Sequence, residues 1–129
     1  MQVTAIYRCP YYAAAMADSE MREPTFFVLA ALADGRKHGY ALITDAEQLS
    51  EGRVHLKVGT LYAALDRLKQ QGLVIGAGEE VVDGRLRRYY ELTDDGASAL
   101  RNEVARMQAN AEQALSRLRL RPAPMTAQG

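Results

Sequence analysis

The stretch from Val58 to Tyr90 constrains the fold more than any other part of the chain. It opens with an amphipathic run in which Leu61, Leu65 and Leu68 recur at helical spacing, and Gly72 closes it. Leu73-Val74-Ile75 and Val81-Val82 then read as an apolar, β-branched strand interrupted by Gly76-Ala77-Gly78. Asp83-Gly84 is a strong two-residue hairpin turn, and the returning strand begins with Arg85, Arg87 and Arg88. A short helix followed by an arginine-tipped ribbon supplies the two shapes that fit the grooves of B-DNA.

The faces of these elements assign candidate residues. At 100° per residue, Gly59, Ala63, Asp66, Arg67 and Gln70 point away from the leucine stripe, with Thr60 and Tyr62 on its flanks. Small residues near the helix start, Gly59 and Ala63, permit close approach to a groove. Thr60 and Tyr62 lie where hydroxyls and backbone N–H groups can meet a phosphate or a base edge; a half-buried core ring is the other reading of Tyr62, and its helical-wheel position favours contact. Lys57 and Arg67 suit phosphate contacts. On the returning strand Leu86, Arg88, Tyr90 and Leu92 share one side; Leu86, Tyr90 and Leu92 are expected to pack on the helices, while Arg85 and Arg87 stay solvated on the other. Arg88 falls on the packed side, but a long side chain near a hairpin tip can reach out.

Bulk properties narrow the classes. The 129 residues, 48% hydrophobic and 25% charged, fit one modest core rather than two enzymatic domains. The formal net charge is +0, so any attraction for nucleic acid must come from local clusters such as Arg53, Lys57, Arg67 and Lys69, or the hairpin arginines. A single cysteine, Cys9, cannot form an internal disulfide and fits a reducing, cytoplasmic setting. No apolar stretch approaches the length of a membrane span. No glycine-rich phosphate loop, nucleophile elbow or HExxH stretch occurs, so no catalytic residue is assigned. His38 and His55 have no companion at ligand spacing, and no metal or cofactor is expected.

The remaining chain organises around this stretch. Residues 1–22, with Pro10, a Tyr-Tyr pair and an alanine run, lack clear periodicity and are expected to form a weakly ordered extension. Pro24 suits a first helical position and precedes Leu29, Leu32 and Ala33, with a stop at Asp34-Gly35. His38-Gly39-Tyr40 opens a second helix carrying Leu42, Ala46 and Leu49; His38 is read as a capping and packing residue, with Tyr40 within reach of phosphate. After Thr93, a candidate N-cap, a long helix runs to about Leu120 and stops at Pro122. Ala97, Leu100, Val104, Met107, Ala111, Leu115 (or Ala114) and Leu118 follow one another at spacings of three and four, a heptad seam too long for so small a domain to cover. A second copy of the chain is the expected partner. Residues 122–129 read as a disordered tail. The fold class is therefore α+β, mainly α: a winged helix-turn-helix over 23–92 and a long C-terminal dimerisation helix over 93–121.

The order His38-Gly39-Tyr40, Gly59-Thr60-Leu61-Tyr62, Leu65, Leu68, Gly72-Leu73, Gly84-Arg85, Arg87-Arg88, Tyr90, Leu92-Thr93 and Gly96 closely resembles the PadR family of bacterial transcriptional regulators over roughly residues 23 to 120. The resemblance implies a homodimeric repressor of a pseudo-palindromic promoter site, released by a small-molecule effector, and a compact member with one C-terminal helix. Family chains commonly begin near where Met21 stands. Compact multidrug-responsive members place tryptophans between subunits, and this chain has Trp 0, which leaves no indole for stacking. An effector pocket lined by Phe26, Phe27 and Met107 is one expectation; ordinary core packing of those side chains is the other. The rival to DNA readout is a winged helix serving as a protein-interaction or dimerisation module.

Overall fold

The structure, a computed structural model, describes residues 21–124. The expectations for residues 1–20, Cys9 among them, and for 125–129 lie outside the described residues. The elements run α1 (Glu23–Leu32), β1 (Lys37–His38), α2 (Gly39–Leu49), α3 (Val58–Gln70), β2 (Val74–Val82), β3 (Arg85–Leu92) and α4 (Asp94–Arg119). The three strands form an antiparallel sheet in the order β1-β3-β2.

Local chemistry explains most of these boundaries. Pro24 sits in the first turn of α1, where its missing N–H costs nothing. His38 N-caps α2 by accepting the Ala41 amide on Nδ1 at 3.4 Å, which settles its expected role. Thr93 N-caps α4, accepting from Gly96 N at 2.9 Å while its hydroxyl donates to Gly72 O at 2.7 Å. One side chain thus fastens the long helix to the end of α3. Gly96 completes the joint: a Cβ there would overlap the Leu73 carbonyl oxygen and lie 2.8 Å from Leu92 Cδ1.

Apolar stripes from three helices meet the sheet in one core. Val28, Leu29 and Leu32 of α1, Leu42 and Ala46 of α2, and Leu61, Leu65 and Leu68 of α3 join Val74 and Tyr90. The loop before α3 is part of the core, since Val54 and Leu56 are buried while Arg53, His55 and Lys57 alternate outward. Its start is fixed by Ser50, whose buried Oγ accepts from Val54 N at 2.9 Å. Glu51 and Gly52, at φ 55° and 87°, turn the chain there.

Three features differ from the sequence expectations. β2 is not interrupted at Gly76-Ala77-Gly78 but continues through an irregularity in register between Gly76 and Glu79, a bulge that the two glycines accommodate. Lys37 and His38, for which no strand was expected, pair with Tyr90 and Tyr89. Leu86, expected to pack on the helices, is 55% exposed because the hairpin projects past them. No helix among the described residues is long and apolar enough to cross a membrane.

Candidate nucleic-acid interface

Burial of Leu61, Ala64, Leu65 and Leu68 fixes the rotation of α3. Its opposite face therefore carries Gly59, Ala63, Asp66, Arg67 and Gln70, all exposed, with Lys57, Val58 and Thr60 exposed at its start. Lys57 occupies the N-cap position without a side-chain cap bond, so the first N–H groups of α3 face outward beside a cationic side chain. Nothing within 4 Å would meet a Cβ at Gly59, which leaves the approach to that backbone open.

Tyr62 differs from its neighbours. Its ring is half-buried, packs against the core and lies 6.2 Å from the Tyr90 ring. A Cβ at Gly39 would stand 2.6 Å from the Tyr62 hydroxyl oxygen, so the glycine at the start of α2 makes room for this ring. Tyr40, one residue on, is exposed. Burial, with Tyr62 nearby, raises the Tyr90 phenol above its ordinary value.

The hairpin arms place the three arginines on two faces. Asp83 and Gly84 both have positive φ, 52° and 75°, as a two-residue type I′ turn requires. The resulting register sets Arg85 opposite Val82, Arg87 opposite Glu80 and Arg88 opposite Glu79. Arg88 Nε lies 3.7 Å from Glu79 Oε2 and reaches solvent, as its length allowed. It shares an open depression with Lys69, so the C-terminal part of α3 adjoins the root of the wing. Arg87 is half-buried rather than solvated as expected, because its face of the sheet also carries Tyr89 and His38. Burial, reinforced by the Arg87 charge, pushes the His38 imidazole below its ordinary value. Arg85 is exposed and has no acidic partner among the described residues. The wing thus holds Arg85, Arg87 and Arg88 against Glu79, Glu80 and Asp83, a local balance of charge.

The remaining expected sites fall into separate places. On α4, Ala97 and Leu100 are half-buried, and Leu100 packs on the core of its own chain. Val104, Met107, Ala111, Leu115 and Leu118 are exposed. Glu103, by contrast, is buried and paired with Arg106. Phe26 and Phe27 meet edge to face at 5.1 Å, and Phe27 packs on the core. Neither they nor Met107 line the depression at the wing root or the two beside α2. Val58, exposed at the start of α3, is the residue of this face that sequence reasoning missed, and Asp66 stands on the outward face as helical rotation predicts.

Comparison with known proteins agrees with this geometry. The model of the transcriptional regulator PadR-like family matches residues 28–102. A transcriptional regulator of Mycobacterium tuberculosis is 36% identical over 83 residues, which span 64% of this chain and 74% of that protein. Among solved structures, a PadR family transcription regulator from Clostridium difficile R20291 superposes with a TM-score of 0.55 at 26% identity, covering 78% of this chain and 100% of the other. Bacillus subtilis PadR, solved in complex with operator DNA, superposes with a TM-score of 0.57 over 81% of this chain and 51% of that one, at 18% identity, a likeness of fold. The family match, the identity to the mycobacterial regulator and the winged-helix architecture together establish that the chain belongs to the PadR-like family of transcriptional regulators.

Proposed function

We propose that this PadR-like regulator is a repressor that binds a pseudo-palindromic promoter site as a homodimer in the cytoplasm and is released by a small-molecule effector. Residues 23–92 are the DNA-binding unit, and 93–121 the arm that joins two copies. The observation that carries the DNA reading is the outward face of α3: small at Gly59 and Ala63, hydroxyl-bearing at Thr60, cationic at Lys57 and Arg67, and without cover among the described residues. Helix N-terminal residues of this kind contact base edges when the helix lies in the major groove. Arg85, Arg87 and Arg88 then meet backbone or minor groove, Tyr40 meets a phosphate, and Tyr62 orients the helix while offering its hydroxyl. That Bacillus subtilis PadR was solved with operator DNA supports the same use of the fold here.

The exposed run of Val104, Met107, Ala111, Leu115 and Leu118 supports dimerisation, since no monomer gains by leaving such a stripe in water. Two copies joined there must present their α3 helices about 34 Å apart, or reach that spacing, to read adjacent major grooves. Effector release rests on the family alone.

A gel shift against the protein's own upstream region, repeated in rising salt, tests the reading. With roughly six to eight phosphate contacts per dimer, affinity falls about a thousandfold or more between 50 and 200 mM salt. The rival, a winged helix used only for protein interaction, draws on the charge balance within the wing. A flat salt response favours it.

A further inference from the structure

Arg36, in the turn between α1 and β1, makes two contacts that reach across the sheet. Its Nη1 donates to the Ala77 carbonyl at 2.9 Å, at the bulge where β2 changes register. Its guanidinium carbon lies 4.2 Å over the centroid of the Tyr89 ring. That ring is fixed on its other sides: the hydroxyl donates to Glu80 Oε1 at 2.7 Å, and His38 meets it edge-on at 5.5 Å. Because His38 N-caps α2, the cluster joins the helix-turn-helix to both arms of the wing.

A two-stranded ribbon that projects past its helices has few other means of holding an angle. Its outer part is solvent-exposed, with Val81 and Leu86 uncovered, and hairpins of two strands are marginal alone. We propose that Arg36 is the positioning residue for the wing: it clamps the bulge of β2 and the Tyr89 ring of β3 to the start of α2, and so sets where Arg85, Arg87 and Arg88 stand relative to α3. The DNA consequence rests on the function proposed above; the clamp itself does not. Glycine at 76 and 78 fits this role, because a bulge is where an antiparallel ladder releases a carbonyl to an outside donor. Lysine replaces the clamp only in part. An ammonium has neither the planar face that covers the ring nor the fork that keeps a second N–H on a carbonyl.

The test compares the full-length wild type with Arg36→Ala and Arg36→Lys, each also in an Arg85→Ala/Arg87→Ala background. In the DNA-free protein, amide hydrogen exchange over residues 79–88 is expected to rise roughly tenfold in Arg36→Ala and by less in Arg36→Lys, with α1 to α3 unchanged, as loss of one hydrogen bond and one cation–π contact implies. Unchanged hairpin exchange overturns the clamp. On the protein's own upstream duplex, both variants are expected to weaken binding and flatten its salt dependence, and to add little once Arg85 and Arg87 are already alanine. Rescue by Arg36→Lys, together with full additivity, would instead make Arg36 a direct phosphate contact and overturn the proposal. A wild type that binds neither the upstream duplex nor random DNA refutes the DNA reading, and the exchange result still decides the clamp.

Discussion

α3 and α4 carry similar leucine stripes and treat them in opposite ways. In α3, Leu61 and Leu65 are fully buried by α1, α2 and the sheet, and the polar face is what remains outside. In α4, only the first turns are tied to the core, and Leu115 and Leu118 stay 45% and 59% exposed. Two similar periodicities thus end differently, and what separates them is the supply of partners among the described residues. A helix whose stripe is satisfied at home is free to offer its other face to a groove. For the one whose stripe stays open among the described residues, a second copy is the proposed partner.

Truncating each stripe sharpens that contrast. Leu65→Ala is expected to cost about 2–5 kcal/mol of stability, independent of protein concentration, because it opens a cavity in a fully buried site. Leu118→Ala should instead lower the melting temperature only in a concentration-dependent way, since in the proposed dimer its stabilisation comes from association. Chemical denaturation over a range of protein concentrations distinguishes the two. The junction between the helices comes next: Gly96→Ala forces a methyl into the Leu73 carbonyl and is expected to cost about 1–3 kcal/mol, measured by the same unfolding curves.

Smaller effects address the polar side of the comparison. Arg85→Ala with Arg87→Ala should weaken binding to operator and random duplex alike and reduce the log-log salt slope by roughly two, if each arginine neutralises one phosphate. Thr60→Ala should also change sequence preference. An equal loss on both duplexes would confine Thr60 to positioning. The smallest effect concerns pH. The His38 pKa is held below its ordinary value of 6.5, so its contribution to stability is complete above about pH 6.5 and is lost as pH falls through the lowered folded value. Thermal unfolding at pH 7.5 and 5.5 should reveal the drop in wild type and a smaller one in His38→Asn, which keeps a capping side chain without titrating there.

Much of this was legible in the chain. The helices were readable because periodicity and caps are local: Pro24 at the start of α1, His38 and Thr93 as N-caps, and the leucines of α3 each act within a few residues. The turn at Asp83-Gly84 was legible for the same reason, and it carried more than was taken from it. A two-residue loop there fixes Val82 opposite Arg85 and Glu79 opposite Arg88, so the charge balance of the wing followed from the register alone. β1 was not legible, since two residues become a strand only when β3 lies beside them. Leu86 was misjudged because alternation tells which face a side chain takes and not whether anything covers it. The partners of Arg36 lie 41 and 53 positions away, at Ala77 and Tyr89, beyond any local signal. The structure also moves the best place to test the dimer seam. Leu100 packs on its own core, so charging it would confound folding with assembly, whereas Leu115 and Leu118 are exposed among the described residues.

The most direct test of a DNA reader built from two copies is therefore the Leu115→Glu/Leu118→Glu variant, followed on one sample by light scattering, circular dichroism and operator gel shift. Wild type is expected at twice the 14.2 kDa chain mass and bound to the full operator. The variant should keep its helical signal, fall to the single-chain mass and lose operator affinity in the same step. A folded, single-chain variant that binds the full operator as tightly as wild type would contradict the account.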